Sequence, residues 1–109
     1  MNATDELPLA PRDLLILAVL AAGEQHGYGI IKAVEERSGT KVALDPANLY
    51  RVLRRMRRDG WIREVETDGG DERRRTYGIT RRGQSILSRE VERLERLLRD
   101  VRPALADGG

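Results

Sequence analysis

At 109 residues the chain is the size of one ordinary domain, with one core that buries roughly two thirds of the unfolded surface. Hydrophobic residues make up 39%, with no Phe, one Trp and three Tyr, so the core must be built almost entirely from Leu, Ile, Val and Ala. Twenty Lys and Arg against 18 Asp and Glu leave a net charge of +2, which excludes a uniformly polycationic chain, while the absence of Cys and a single His leave disulfide scaffolds, thiolate metal centres and Ser/His or Cys/His catalysis poorly supplied.

Residues 1–10 precede the first helical signal and read as an N-terminal arm. Pro11 suits the first position of a helix, Leu14, Leu15, Ile16, Leu17, Val19 and Leu20 follow, and Gly23 stops it. A helix apolar nearly all round is expected to be buried on several sides. The run Leu14 to Ala22 is too short to span a bilayer, and Asp5 and Glu6 stand where a secretory signal has basic residues, so a cytoplasmic protein without membrane association is expected. Beyond Gly27 and Gly29, Ile30, Ile31 and Val34 alternate with Lys32, Glu35, Glu36 and Arg37 in a short amphipathic helix ending near Gly39. Asp45-Pro46 is a strong start for a third helix, closed by Gly60.

From Trp61 the period changes. Ile62, Val65 and Thr67, the turn residues Asp68-Gly69-Gly70-Asp71, and Tyr77 with Ile79 describe a β-hairpin. Thr80 caps a fourth helix that runs to about Arg102, where Pro103 is expected to end it, leaving a tail at 106–109. Leu87, Val91, Leu94, Leu98, Val101 and Leu105 are spaced 4, 3, 4, 3, 4, an a/d seam backed by the i, i+4 pairs Glu92–Arg96 and Glu95–Arg99.

Charge is unevenly placed. Residues 1–40, 41–83 and 84–109 carry −3, +5 and 0. The excess lies in Arg51, Arg54, Arg55, Arg57, Arg58 and Arg63, and then in Arg73, Arg74, Arg75, Arg81 and Arg82. At about 100° per residue, Leu49, Val52, Leu53 and Met56 form the inner face of the third helix; Arg51, Arg54 and Arg58 lie opposite, Arg55 and Arg57 flank them, and Tyr50 sits on the boundary.

Three helices followed by a two-stranded hairpin is the order of a winged helix-turn-helix, whose third helix enters the DNA major groove while the wing meets the backbone. The fold expected is mainly α with a small β-hairpin: a DNA-binding unit at 11–83 and a dimerisation helix at 84–105. The basic clusters fall on the third helix and the second hairpin strand, the two elements that would touch nucleic acid. Candidate DNA contacts are Tyr28, Asn48, Tyr50, Arg51, Arg54, Arg55, Arg58, Arg73, Arg74 and Arg75, and candidate dimer contacts are Leu87, Val91, Leu94, Leu98 and Val101. Each has a plainer reading as well: Tyr28 packing between helices, Tyr50 shielding the core edge, and Arg73 to Arg75 protecting an edge strand. Trp61 reads as core or dimer-interface filler, and His26 as a partly exposed residue at a helix start.

The sequence resembles the PadR family of bacterial transcriptional regulators over residues 11–90. The resemblance rests on His26-Gly27-Tyr28-Gly29-Ile30, Asn48-Leu49-Tyr50 through Leu53, Asp59-Gly60-Trp61-Ile62, Arg75-Thr76-Tyr77 and Thr80-Arg81-Arg82-Gly83. Arg51 stands where that family usually carries Pro, and one helix after the wing matches its short-form members. The resemblance implies a homodimeric repressor that binds operator DNA and is released by a small molecule or other signal. An alternative from the residues is a winged-helix module whose arginine face binds an acidic protein. For an enzyme, Asp and Glu are plentiful but none is paired with a plausible nucleophile, Gly-rich phosphate loop or metal-ligand spacing, and no cofactor is expected.

Overall fold

A computed structural model of the chain describes residues 6–65 and 75–108, with the side chains of 107 and 108 left aside. Four helices and three short strands follow in the order α1 (Pro11–Ala22), β1 (Gln25–His26), α2 (Gly27–Arg37), α3 (Pro46–Arg58), β2 (Ile62–Val65), β3 (Thr76–Ile79) and α4 (Arg81–Gly108). This is the mainly helical winged helix-turn-helix with one long C-terminal helix.

The helix boundaries follow from local chemistry. Asp45 caps α3 by accepting the Asn48 N–H at 2.8 Å, with Pro46 next to it. At the other end Gly60 takes φ +81°, and the N–H groups of Gly60 and Trp61 return to the carbonyls of Arg57 and Met56 at 3.1 and 2.8 Å. This is a Schellman ending, which requires a left-handed residue and turns Trp61 inward. Thr80 caps α4 as expected, its hydroxyl accepting the Gly83 N–H at 3.1 Å and donating to the Gly60 carbonyl at 2.5 Å. A Cβ on Gly83 would lie 2.1 Å from the Trp61 carbonyl oxygen, so only glycine lets α4 start flush against the end of α3.

Leu49, Val52, Leu53 and Met56 are buried, and Arg51, Arg54 and Arg58 are exposed, as the helical wheel predicts. Their buried face meets Ile16, Leu17 and Leu20 of α1 and Ile30 and Val34 of α2 in one cluster that Trp61, Ile62, Tyr77 and Ile86 close. As its composition predicts, α1 packs on several sides, against α2, α4 and β3.

Three features differ from the sequence reading. The hairpin belongs to a three-stranded antiparallel sheet in the order β1-β3-β2, with Gln25 opposite Tyr77 and Ile62 opposite Ile79. A two-residue strand is too short to leave a period-2 signature. Second, α4 continues through Pro103 to Gly108 rather than stopping at Arg102. Proline's fixed φ is helical and its missing N–H leaves only the Arg99 carbonyl without a donor; this stretch is exposed, so water satisfies it. Third, the arm is tied down: Leu9 is buried, and its N–H donates to Glu90 at 2.7 Å. The opening turns of α4 likewise belong to the core, since Ile86 is fully buried and Leu87 packs against it.

Candidate nucleic-acid interface

The outer face of α3 is the centre of the candidate site. Asp45, Asn48 and Arg51 form a hydrogen-bonded chain along its first two turns: the Asn48 amide donates to Asp45 Oδ2 at 2.7 Å, and Arg51 donates to Asn48 Oδ1. The chain holds Arg51 over the N-terminal half of the helix. Arg54 is exposed and makes no ion pair among the described residues, while Arg58 reaches the neighbouring Asp59 at 3.4 Å.

One flank of α3 faces the sheet. Glu64 on β2 accepts Arg57 of α3 at 3.0 Å and Arg75, just before β3, at 3.1 Å. One carboxylate thus joins two guanidinium groups and leaves the wing base positive. Beneath it, burial raises the Tyr77 phenol above its ordinary pKa, and Glu64 adds to the rise while Arg75 and Arg57 oppose it. The phenol stays neutral, as a core position requires. Arg63, further out, pairs with Glu24 at 3.1 Å.

The other flank turns inward. Asp13 of α1 is 6% exposed and accepts both Arg55 of α3 and, at 3.3 Å, Arg12 of α1. The Arg55 guanidinium also lies 5.9 Å from the centre of the Trp61 ring. Arg55, assigned to DNA from sequence, is therefore engaged by the protein's own interior.

The remaining candidates separate clearly. Tyr28, 67% exposed in the first turn of α2, is not packed between helices. Tyr50 is 37% exposed, and its hydroxyl lies over Gly27, 3.1 Å from where a Cβ would stand. His26 is exposed and caps α2, its Nδ1 accepting the Gly29 N–H at 3.1 Å. Trp61 is buried in the core. Arg73 and Arg74 lie outside the described residues.

Along α4, Val91, Leu98, Val101 and Leu105 are exposed, joined by the half-buried Leu94 and by Leu97. Leu87 differs from the rest of the seam because it packs on the core. Among the described residues no helix is long and apolar enough to cross a membrane, and no group of three His, Cys, Asp or Glu could hold a metal ion. Sequence reasoning missed Asp13 and Glu90, because each takes its role from a partner outside its own helix, and it missed Arg12, whose partner Asp13 is placed by that same packing.

The model of the Transcriptional regulator PadR-like family matches residues 16–89. An uncharacterized 37.1 kDa protein in transposon TN4556 of Streptomyces fradiae is 37% identical over 84 residues, which cover 77% of this chain and 23% of that protein. The chain thus spans less than a quarter of this relative's length. Among solved structures, a PadR family transcription regulator from Clostridium difficile superposes with a TM-score of 0.75 at 24% identity, covering 88% of this chain and 99% of that one. A PadR-like transcriptional regulator from Bacillus cereus gives 0.71 at 21% identity, covering 85% and 89%. PadR of Bacillus subtilis, solved in complex with operator DNA, gives 0.65 at 23% identity, covering 78% of this chain and 48% of that one.

Proposed function

The chain belongs to the Transcriptional regulator PadR-like family, and from that premise we propose that it is a dimeric, sequence-specific DNA-binding repressor acting in the cytoplasm. One observation carries the reading: α3 is half core and half arginine, with Leu49, Val52, Leu53 and Met56 buried and Arg51, Arg54 and Arg58 exposed on the opposite side. In helix-turn-helix docking that outer face enters the major groove, N-terminal residues first. Asn48 and Arg51 occupy that end, and Tyr28 and Tyr50 stand beside it. The operator complex of Bacillus subtilis PadR, which shares the fold, supports the same use of it here.

The exposed apolar stripe on α4 supports dimerisation. Val91, Leu94, Leu98 and Val101 span about two heptads, short for a stable isolated coiled coil, so the neighbouring face of α1 would add to the contact. Relief of repression by a small molecule or other signal is carried over from the family resemblance. The decisive experiment is a gel shift of the purified chain on its own upstream DNA. A shift that survives excess unrelated DNA supports the reading; no shift, or one abolished by the competitor, overturns it.

A further inference from the structure

A cleft of about 290 Å³ opens between the first turn of α1 and one flank of α3, lined by Arg12, Asn48, Arg51, Val52 and Arg55. Sites for small organic molecules are lined mainly by apolar and aromatic side chains with a few polar groups. Here three of the five side chains are guanidinium groups and a fourth is an amide, a lining made for an anion. Two carboxylates lie nearby and neither is among the lining residues: Asp45 is taken up by the Asn48 N–H and amide, and Asp13 has a side chain only 8% exposed and pairs with two of the arginines. Its oxygens take Nε of Arg12 and one terminal nitrogen of Arg55, which fixes both groups at the cleft wall. Arg12 thereby keeps its terminal nitrogens for another acceptor, since among the described residues they take none. Ala10 supplies no side-chain cap to α1, so the positive end of that helix adds to the field. Guanidinium groups match the oxygens of a phosphate in paired hydrogen bonds.

The position of the cleft selects the source of that phosphate. Arg51 lines the cleft and also stands on the outer face of α3, so an anion held here is continuous with whatever that face meets. The cleft also lies on the flank of α3 opposite Arg57 and the wing base. We propose that it seats a backbone phosphate of the bound duplex, with Arg12 as the contact from α1, an assignment that rests on the DNA-binding reading above. The duplex is then gripped on both sides of α3, by α1 on one flank and the wing on the other.

The test compares the full chain with Arg12→Gln and Arg12→Lys on two fluorescent duplexes, its own upstream sequence and a random sequence, at several salt concentrations. Arg12→Gln should weaken both duplexes by the same factor and lower the slope of log K against log salt by about 0.9 for each phosphate no longer neutralised, whereas Arg12→Lys keeps the slope. Unchanged affinity and slope in Arg12→Gln, with the unmodified chain binding normally, overturns the phosphate seat and leaves the DNA reading intact. If the unmodified chain binds neither duplex, the DNA reading itself fails and takes this assignment with it. Inorganic phosphate is titrated in parallel: saturable movement of the Arg12 Nε resonance combined with an unaltered DNA slope in Arg12→Gln assigns the cleft to a free anion and also overturns the proposal. Where Arg12→Gln fails to fold, the Arg12 resonance of the unmodified chain is followed on adding duplex. Its movement in step with the α3 amides supports the seat, and an unmoved signal refutes it.

Discussion

Glu90, 1% exposed on α4, accepts the backbone N–H of Leu9 at 2.7 Å and thereby fastens the segment before α1 to the long C-terminal helix. Arg93, one turn on, donates to the same carboxylate through Nε at 2.5 Å and a terminal nitrogen at 3.1 Å. The Arg93 bonds hold the Glu90 carboxyl below the ordinary carboxylate pKa; burial opposes them, and the Leu9 N–H adds to the lowering. The arrangement couples the arm, the core and the stripe of α4 that faces outward.

The sign of the pH dependence follows. A carboxyl whose folded pKa lies below its unfolded value of 4.5 contributes stability that is fully present above that value and is lost as pH falls through the folded one. Thermal melting of the unmodified chain should therefore drop below about pH 4.5, and Glu90→Gln should lose less over the same interval. Glu90→Ala leaves the Leu9 N–H without its acceptor, a loss of about 1–3 kcal/mol at neutral pH. Equal acid sensitivity in the unmodified chain and Glu90→Gln would show that Glu90 does not contribute.

The two faces of α3 are expected to separate energetically. Leu53→Ala opens a cavity in a fully buried layer and should cost about 2–5 kcal/mol in denaturant unfolding. Arg54→Ala changes an exposed side chain and should stay within about 0.5 kcal/mol while weakening DNA binding. A matching stability loss in both variants would mean Arg54 is structural.

Arg55 should behave unlike its neighbours. Removing it leaves the nearly buried Asp13 with Arg12 alone, so Arg55→Ala should cost about 1–3 kcal/mol, the cost of stranding a buried polar group. Arg58→Ala removes an exposed side chain whose one ion pair among the described residues is to exposed Asp59, and it should be neutral in the same denaturation experiment. An Arg55→Ala variant as stable as Arg58→Ala would show that the Asp13 pair contributes nothing.

That contrast marks how far the sequence could be read. Pro11, Gly23, Asp45-Pro46, Gly60 and Thr80 announce the helix ends because capping is a local event among a few consecutive residues. The core face of α3 is legible for the same reason, since periodicity survives without knowledge of neighbours. Asp13 and Arg55 are 42 residues apart and Leu9 and Glu90 are 81 apart, so neither pair exists until the helices are packed. Pro103 misled in the opposite direction: a residue that usually ends a helix is tolerated where the orphaned carbonyl faces solvent.

Replacing Leu94 and Leu98 with Lys puts two charges on the exposed stripe of α4. Light scattering should then report a mass near the 12.3 kDa of one chain, with helical content kept and DNA affinity reduced. An unmodified chain that is already monomeric at micromolar concentration would refute the dimer assignment.

The last prediction divides the labour between α3 and the wing. Asn48, Arg51 and Arg54 lie toward the N-terminal end and outer face of α3, the part that reaches base edges, whereas Arg75 immediately precedes β3 and shares Glu64 with Arg57. Arg74 belongs to the segment joining β2 to β3. Base contacts specify, and phosphate contacts only position. Arg51→Ala and Arg54→Ala should therefore change the ranking of a panel of operator variants, by about 1–3 kcal/mol wherever the guanidinium bridges a guanine. Arg74→Ala should weaken every duplex alike and lower the salt slope by about 0.9 for each phosphate it neutralises, twice over in a symmetric dimer. Arg75→Ala should do the same, and because it also frees one oxygen of Glu64 to Arg57, its effect on stability must be measured beside its effect on binding. If the wing variants reorder the panel while the α3 variants weaken it uniformly, the docking is reversed: the hairpin reads the sequence and α3 holds the backbone.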